Sequence, residues 1–531
     1  MKNSNKRYTI ALPAKILILL VVVGLLLGGV YKALKSGVVK ASDKTNKVLG
    51  ITVNDTDEDG NIFNTDKGDN TSTINLSVDE WIGWKPIIDA NGGLSTQSGS
   101  IYDQLGIKVN ISIINDATQS SNALIAKSLD AAGYTINRTA FLSSKFKDAG
   151  LDVIMPYITN FSNGGDGIIA KSNINNVNDL VGAKIGVPQF SEAHSLVVWF
   201  VNQSNLSDAD KASIIDNLIM FNTPDECAKA FFAGQIDVAA TWEPYLTQAQ
   251  NMSDAHVFFS TASSSSLIMD GILFNKDFAE ANPEVVQKFI DGALQASSQY
   301  DTNMSTIKTV MPMFATASDD DVKSNCASAK LMTYADNLSM FNGTARDIYT
   351  SMCGVWESIG ETVNEDLVNT LYDDTYIKAL GNKYDATDLT KTDANVTVTD
   401  ANKDEVLNTE AMLTRSATVN FIKSTAKFSD SAEATATLDD FIATAKILDG
   451  TIIEIAGNTD PNPNSDPDDT YNKMLSQQRA ETVKQYFILN GISADRIVTV
   501  GNGSSNPMFP NDTEEHKAMN RRTDVSFKSI E

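Results

Sequence analysis

The stretch Ile453-Glu-Ile-Ala-Gly-Asn-Thr-Asp460 leaves this chain the least freedom. Ile453 and Ile455 alternate with other residues as in a half-buried strand, and the Gly-Asn-Thr-Asp turn that closes it presents a carboxylate. Nineteen residues later comes Arg479, within Leu475-Ser-Gln-Gln-Arg-Ala480, on a helical stretch reached through an acidic loop rich in Pro and Asn. A carboxylate and a guanidinium that converge on one cleft suit a zwitterion such as an amino acid, because Arg grips a carboxylate through two parallel hydrogen bonds. Taken alone, the two residues would equally make a surface ion pair of little worth.

The context decides between these readings. Gly491-Ile-Ser-Ala-Asp-Arg-Ile-Val-Thr-Val-Gly-Asn-Gly503, Asn506-Pro507 and Asn520-Arg521-Arg522-Thr-Asp-Val525 follow in order. With the first two signatures they form a pattern that resembles the OmpA/MotB peptidoglycan-binding domain over about Leu413 to Phe527. The resemblance implies an α+β domain (413–531) in which Asp460 and Arg479 hold the diaminopimelate of the wall's stem peptide, with Asn472, Asn520 and Arg521 as further contacts. Asn458 stands where the family often has His or Tyr, Gln477-Gln478 replaces a Glu-Arg pair, and the loop Pro461 to Thr470 is longer than usual. These departures bear on affinity and on the preferred stem peptide.

Upstream, over 74–383, short β-rich runs such as Lys108–Ile114, Val153–Met155, Gly167–Ala170 and Lys184–Pro188 alternate with helical ones, so an α/β domain of parallel sheets covered by helices is expected. In such sheets ligands gather at the carboxyl ends of strands. Val177-Asn-Asp-Leu-Val-Gly-Ala-Lys-Ile-Gly-Val-Pro-Gln-Phe-Ser-Glu-Ala-His194 and Ala233-Gly-Gln-Ile-Asp-Val-Ala-Ala-Thr-Trp-Glu-Pro-Tyr245 resemble the periplasmic substrate-binding proteins of ABC importers for nitrate, sulfonate and taurine. The segments Glu80–Pro86, Gly164–Gly167 and Phe278–Val285 fit the same pattern. The resemblance implies two α/β lobes that close on a small-molecule solute, and an ABC permease as a partner.

Candidate solute residues are Trp81, Trp84 and Trp242 as flat walls, and Asp166, Ser191, Glu192, Glu243 and Asp270 as polar contacts. For each aromatic, core packing is an equal reading. Ser191 opens a helix whose free N–H groups suit an anion, whereas Glu192 either serves the helix dipole or points into the cleft. With Glu192, Glu243 and Asp270 at positions that the resemblance places around the cleft, and Lys85, read as a hinge or surface residue, the only basic candidate nearby in these motifs, the expected solute carries a cationic or donor-rich end rather than being a simple oxyanion.

Lys2, Lys6, Arg7 and Lys15 precede an uncharged apolar run from Ile16 to Val30. Residues 1–15 are therefore read as cytoplasmic and 16–31 as a transmembrane signal anchor, with the bulk of the chain extracytoplasmic, in the periplasm or cell-wall zone. The rival is a cleaved signal peptide ending near Val39-Lys40-Ala41. Residues 32–73 read as an acidic linker, in which Asp55-Thr-Asp-Glu-Asp-Gly60 is only a loose echo of a calcium loop, and 384–412 as a second linker.

A formal net charge of −25 over 531 residues argues against nucleic acid. Cys227, Cys326 and Cys353 read as small buried residues, a Cys326–Cys353 bridge being the alternative. No Walker loop, nucleophile elbow or metal-ligand spacing appears, and His194, His256 and His516 are scattered. No enzymatic activity, cofactor or metal is therefore expected. The remaining alternative is a membrane-to-wall tether or sensor whose middle domain docks a protein.

Overall fold

The computed structural model describes residues 72–390, 396–419, 421–422, 424–429, 431–461 and 468–529. Residues 1–15 and 16–31, expected to be cytoplasmic and to anchor the chain, nearly all of the expected first linker and the Asp55–Gly60 run lie outside the described residues. Among the described residues no helix is long and apolar enough to cross a membrane.

The middle of the chain forms two sheets. The first contains β1 (Thr73–Val78), β2 (Lys108–Ile113), β3 (Ala131–Thr135), β4 (Val153–Ser162), β10 (Met269–Asn275) and β11 (Ala329–Leu331), in the order β11-β4-β10-β3-β1-β2. The second contains β5 (Asp166–Lys171), β6 (Ile185–Pro188), β7 (Ile219–Phe221), β8 (Val238–Trp242) and β9 (Ala255–Ser260), in the order β7-β6-β8-β5-β9. The strands are Ile-, Leu-, Val- and Ala-rich, and residues such as Leu76, Ala131, Ile169 and Ala239 are fully buried, as befits sheets covered on both faces.

The sheets are mixed rather than parallel. β1–β2, β1–β3, β6–β7 and β6–β8 pair in parallel, whereas β10 runs antiparallel to β3 and β4, and β5 to β8 and β9. The antiparallel strands are the ones that cross between lobes: β4 leads directly into β5, and β9 into β10. The Thr261 hydroxyl ties the crossings together, bonding Ser162 Oγ at 2.8 Å and accepting from the Gly164 N–H at 3.0 Å.

Three helices position the cleft. They are α1 (Lys85–Asn91), α2 (Ile136–Asp148) and α3 (Glu192–Gln203), of which α2 starts at the carboxyl end of β3. Thr135 caps α2 by accepting from the Arg138 N–H at 2.9 Å, and Ser191 caps α3 by accepting from the His194 N–H at 3.2 Å. Each cap fixes where the first turn of its helix sends its side chains.

The C-terminal domain has one sheet ordered β12-β15-β13-β14, from β12 (Leu413–Ala417), β13 (Ile452–Asn458), β14 (Ile497–Gly503) and β15 (Thr523–Lys528). Against it packs α4 (Thr470–Leu489), which buries Leu475, Ala480, Val483 and Phe487. A Cβ on Gly457 would lie 2.2 Å from the Ser476 carbonyl oxygen, so only glycine lets α4 approach β13 this closely.

The segment 384–412 is tied at both ends. Tyr384 stacks on Tyr334 and donates to Asp291 Oδ1 at 2.6 Å, while Val406 is fully buried and clusters with Ile452 and Val498. The C-terminal domain also holds the β9–β10 crossing. Asp449 Oδ1 accepts from the Ser265 N–H at 2.8 Å, and Ser264 Oγ donates to the Ile447 carbonyl at 2.6 Å. Cys227, Cys326 and Cys353 are all buried and free, so the alternative bridge is not formed.

Candidate functional site

Where the two lobes meet, at the ends of their strands, the structure gathers Asp79, Arg138, Asp166, Glu192 and Asp270. Arg138, on the first turn of α2, reaches Asp79 Oδ2 at 3.2 Å and Glu192 Oε2 at 2.9 Å. Asp79 Oδ1 accepts from Trp84 Nε1 at 2.7 Å. Glu192 thus points into the cleft, and Ser191 spends its hydroxyl on Pro188 O (2.7 Å) and on the cap of α3. Burial works against the Arg138 charge, but Glu192 and Asp79 outweigh it and hold its pKa above the ordinary value.

Asp166 is the first residue of the crossing strand β5 and Asp270 the second of β10, and each is only 4% exposed. Burial, then the Glu192 charge, pushes Asp166 up to about 8, although the Ser162 hydroxyl bonds it. Asp270 is raised well above the usual carboxylate range by burial and by Asp79, Asp166 and Glu192. Arg138 Nε is buried without a partner.

The expected aromatics divide. Trp81 donates from Nε1 to Asn160 Oδ1 at 3.0 Å, and its ring lies so close over Gly165 that a Cβ there would sit 2.3 Å from it. Trp84 is 1% exposed and packs on Gly133, so it is a core residue that also orients Asp79. Trp242 is half-buried opposite Asp166 in the β5–β8 register.

Glu243 turns away from the carboxylates, accepting from Thr247 N (3.1 Å) and Oγ1 (2.8 Å) at the start of the short helix Tyr245–Gln250. Lys85, expected at a hinge or surface, is instead fully buried, pairing with Asp89 at 2.5 Å and donating to Thr302 O at 2.9 Å. His194 accepts from the Phe190 N–H at 3.2 Å, and burial pushes its pKa down to about 4, as suits a structural imidazole.

Asp79 and Arg138 were not singled out from the sequence. The signal was positional, since both follow the carboxyl ends of strands, β1 and β3.

At the C-terminal site, Asp460 follows β13 and pairs with Arg521 Nη1 at 3.2 Å. Arg479 is not its salt-bridge partner: its Nε donates to Thr425 O at 3.1 Å and its guanidinium lies 4.8 Å above the Phe421 ring. Burial lowers the Arg479 pKa; Tyr471 opposes this, Arg521 adds to it and Asp460 opposes it, so the three charged groups act on one another. Asn472 donates to Asp460 O at 3.3 Å and to Asp469 Oδ1 at 2.9 Å, which fixes the turn carrying Asp460. Asn520 is fully buried, accepting from the Met508 and Phe509 N–H groups at 2.8 and 2.9 Å, and so shapes the loop before Arg521. Asn458 is internal, donating to Asp524 Oδ2 at 2.9 Å. Among the described residues no cluster of His, Cys, Asp and Glu is placed to hold a metal.

Comparison with known proteins assigns the two regions separately. Residues 96–303 match the family model described as NMT1/THI5 like, and residues 420–521 match the OmpA family. The chain is 43% identical over 79 residues to outer membrane porin F of Pseudomonas fluorescens, 15% of this chain and 23% of that one. It is 39% identical over 108 residues to outer membrane protein A of Bordetella avium, 20% of this chain and 52% of that one. It is 47% identical over 51 residues to the peptidoglycan-binding protein ArfA of Mycobacterium tuberculosis, 10% of this chain and 16% of that one. The chain therefore spans about half or less of the length of these relatives. Among solved structures, the aliphatic sulphonate binding protein SsuA of Escherichia coli is 15% identical with a TM-score of 0.44, covering 57% of this chain and 99% of that one. The nitrate-binding protein NrtA of Synechocystis PCC 6803 is 11% identical with a TM-score of 0.44, covering 59% and 88%.

Proposed function

We propose that this chain, which joins an NMT1/THI5-like domain to a C-terminal OmpA-family domain, is an extracytoplasmic solute receptor held at the cell wall. The middle domain closes on a small molecule between its lobes. The C-terminal domain grips the amino-acid end of a diaminopimelate-type stem peptide with Asp460, Arg479 and Arg521. Residues 16–31 hold the chain to the membrane, and an ABC permease receives the solute.

One observation carries the reading: charged groups are buried, and incompletely matched, where two lobes meet. Burying an ionised group without compensation is costly. A fold concentrates such groups between two movable lobes when a ligand completes them. At the wall site, the guanidinium of Arg521 and the carboxylate of Asp460 remain 39% and 28% exposed, open to an incoming zwitterion that exchanges its own charges for their mutual pair.

The test is co-sedimentation of the full-length chain with purified diaminopimelate-type peptidoglycan. The chain should pellet with the wall, and free diaminopimelate-containing stem peptide should release it. A chain that stays in the supernatant would contradict the wall half of this reading.

A further inference from the structure

Resting on the solute-receptor reading, we infer that the solute is an organic cation bearing N–H donors, an amine, amidine or guanidine, and that Asp166 and Asp270 take its charged end.

The five charged groups fall into two sets. Arg138 is bonded to both Asp79 and Glu192, and Trp84 donates to Asp79, so three of the groups pair as a triad with one net negative charge, in which Arg138 Nε alone is left buried without a partner. Asp166 and Asp270 are left over. Both are 4% exposed, and Asp270 lies opposite Thr135, the cap of the helix that carries Arg138. The cleft therefore sets four carboxylates against one guanidinium, which already pairs with two of them. Lys85, the basic residue nearest in sequence, is turned onto Asp89 and Thr302 O.

An anion entering this cleft would meet two carboxylates beside an Arg that already holds two others and has Nε as its unpartnered donor. A cation meets the opposite situation: two acceptors, desolvated and close to a net charge it neutralises. Trp81 packs the end of its ring against Gly165, next to Asp166 in sequence.

Placement adds a mechanical reason. Asp166 is the first residue of the strand that enters one lobe, and Asp270 the second residue of the strand that returns to the other. A cation bonded to both draws the two crossings together. Without it the cleft meets the same charge by protonation, which is what the raised pKa values of both groups express.

The experiment is titration calorimetry of the full-length chain against two sets of probes: agmatine, putrescine, arginine and choline on one side, ethanesulfonate, sulfate and nitrate on the other. At least one N–H cation should bind, and choline, which has no N–H donor, should bind more weakly than it. Asp270→Asn and Asp166→Asn should each weaken the bound cation about tenfold to a hundredfold, the loss expected for a charge-assisted hydrogen bond. Both variants should stay folded, because Asn has the shape and polarity of the protonated carboxyl. Binding by the anions alone would overturn the cation assignment and leave the solute-receptor reading standing. Binding by neither set would overturn both. Cation binding that both Asn variants leave unchanged would overturn the role given to Asp166 and Asp270.

Discussion

The two charged sites of this chain are built on opposite terms. In the cleft, Arg138 and its carboxylate neighbours are almost wholly buried; at the wall site, Asp460 and Arg521 keep a quarter or more of their side chains in solvent. Water and salt settle the charge balance of the exposed pair at little cost whether or not a ligand is present. In the cleft nothing but protein, protons or ligand can do so. The cleft therefore stakes fold stability on its charges, and the C-terminal pair does not.

That contrast is broken most directly by removing one cation from each site. Arg138→Ala leaves Asp79 and Glu192 buried without their partner, and losses of this kind cost about 3 to 5 kcal/mol; Arg521→Ala should change stability by no more than about 1 kcal/mol. Denaturant unfolding of the two full-length variants measures both. Similar losses would erase the distinction.

Next in size is the wall interaction. Arg479→Ala should weaken co-sedimentation with peptidoglycan about tenfold to a hundredfold, the equivalent of roughly 1.5 to 3 kcal/mol, and added salt should weaken the parent's wall binding in the same assay. Unchanged binding by Arg479→Ala would shift the site to Asp460 and Arg521 alone.

A third effect is a pH dependence peculiar to the cleft. Asp166 and Asp270 have folded pKa values raised above their unfolded ones, so the stability they contribute is fully present below about pH 4 and is lost as pH rises through about 8 for Asp166. His194, lowered to about 4, acts in the other direction, with stability present above its unfolded value near 6.5 and lost as pH falls through 4. Between pH 6.5 and 8 the carboxylates therefore act without it. The ligand-free chain should lose stability across that window by at most about 1.4 kcal/mol per pH unit for each proton released. Asp166→Asn should flatten the slope, and an unchanged slope would mean that Asp166 is not the group titrating.

The smallest effect concerns the contact between the regions. Asp449→Ala removes the acceptor for Ser265 on the β9–β10 crossing, and amide exchange at residues 261–268 should rise while exchange in β1 does not. Equal exchange in parent and variant would show that the C-terminal domain does not brace the crossing.

The two sites were also legible to different degrees. The C-terminal strand-turn-helix pattern lies within one short stretch, so Asp460 and its surroundings could be read locally, and residues 420–521 match the OmpA family. What local reading missed was the partner: Arg479 lies over Phe421, and it is Arg521, brought back by β15's approach to β13, that pairs with Asp460. In the cleft, Glu192, Asp166 and Asp270 were legible as acids in loops and turns. Arg138 was not, because Ile136-Asn-Arg-Thr reads as any first helical turn and its importance comes from two carboxylates 54 and 59 residues away in sequence. Lys85 was misread for the converse reason, since its partner Asp89 lies one helical turn on. Glu243 faces its own helix, a local capping preference that outweighed the pull of the cleft. Parallel sheets were expected because the strand and helix alternation is real; the antiparallel members arise where the chain passes end-on from one lobe to the other.

The central claim is that the cleft's buried carboxylates are completed by a cationic solute. Native mass spectrometry of the full-length chain, beside its Asp166→Asn and Asp270→Asn variants, tests it most directly. The account predicts that the parent retains a small molecule carrying a basic nitrogen and that the variants release it. An anion retained equally by all three would contradict it.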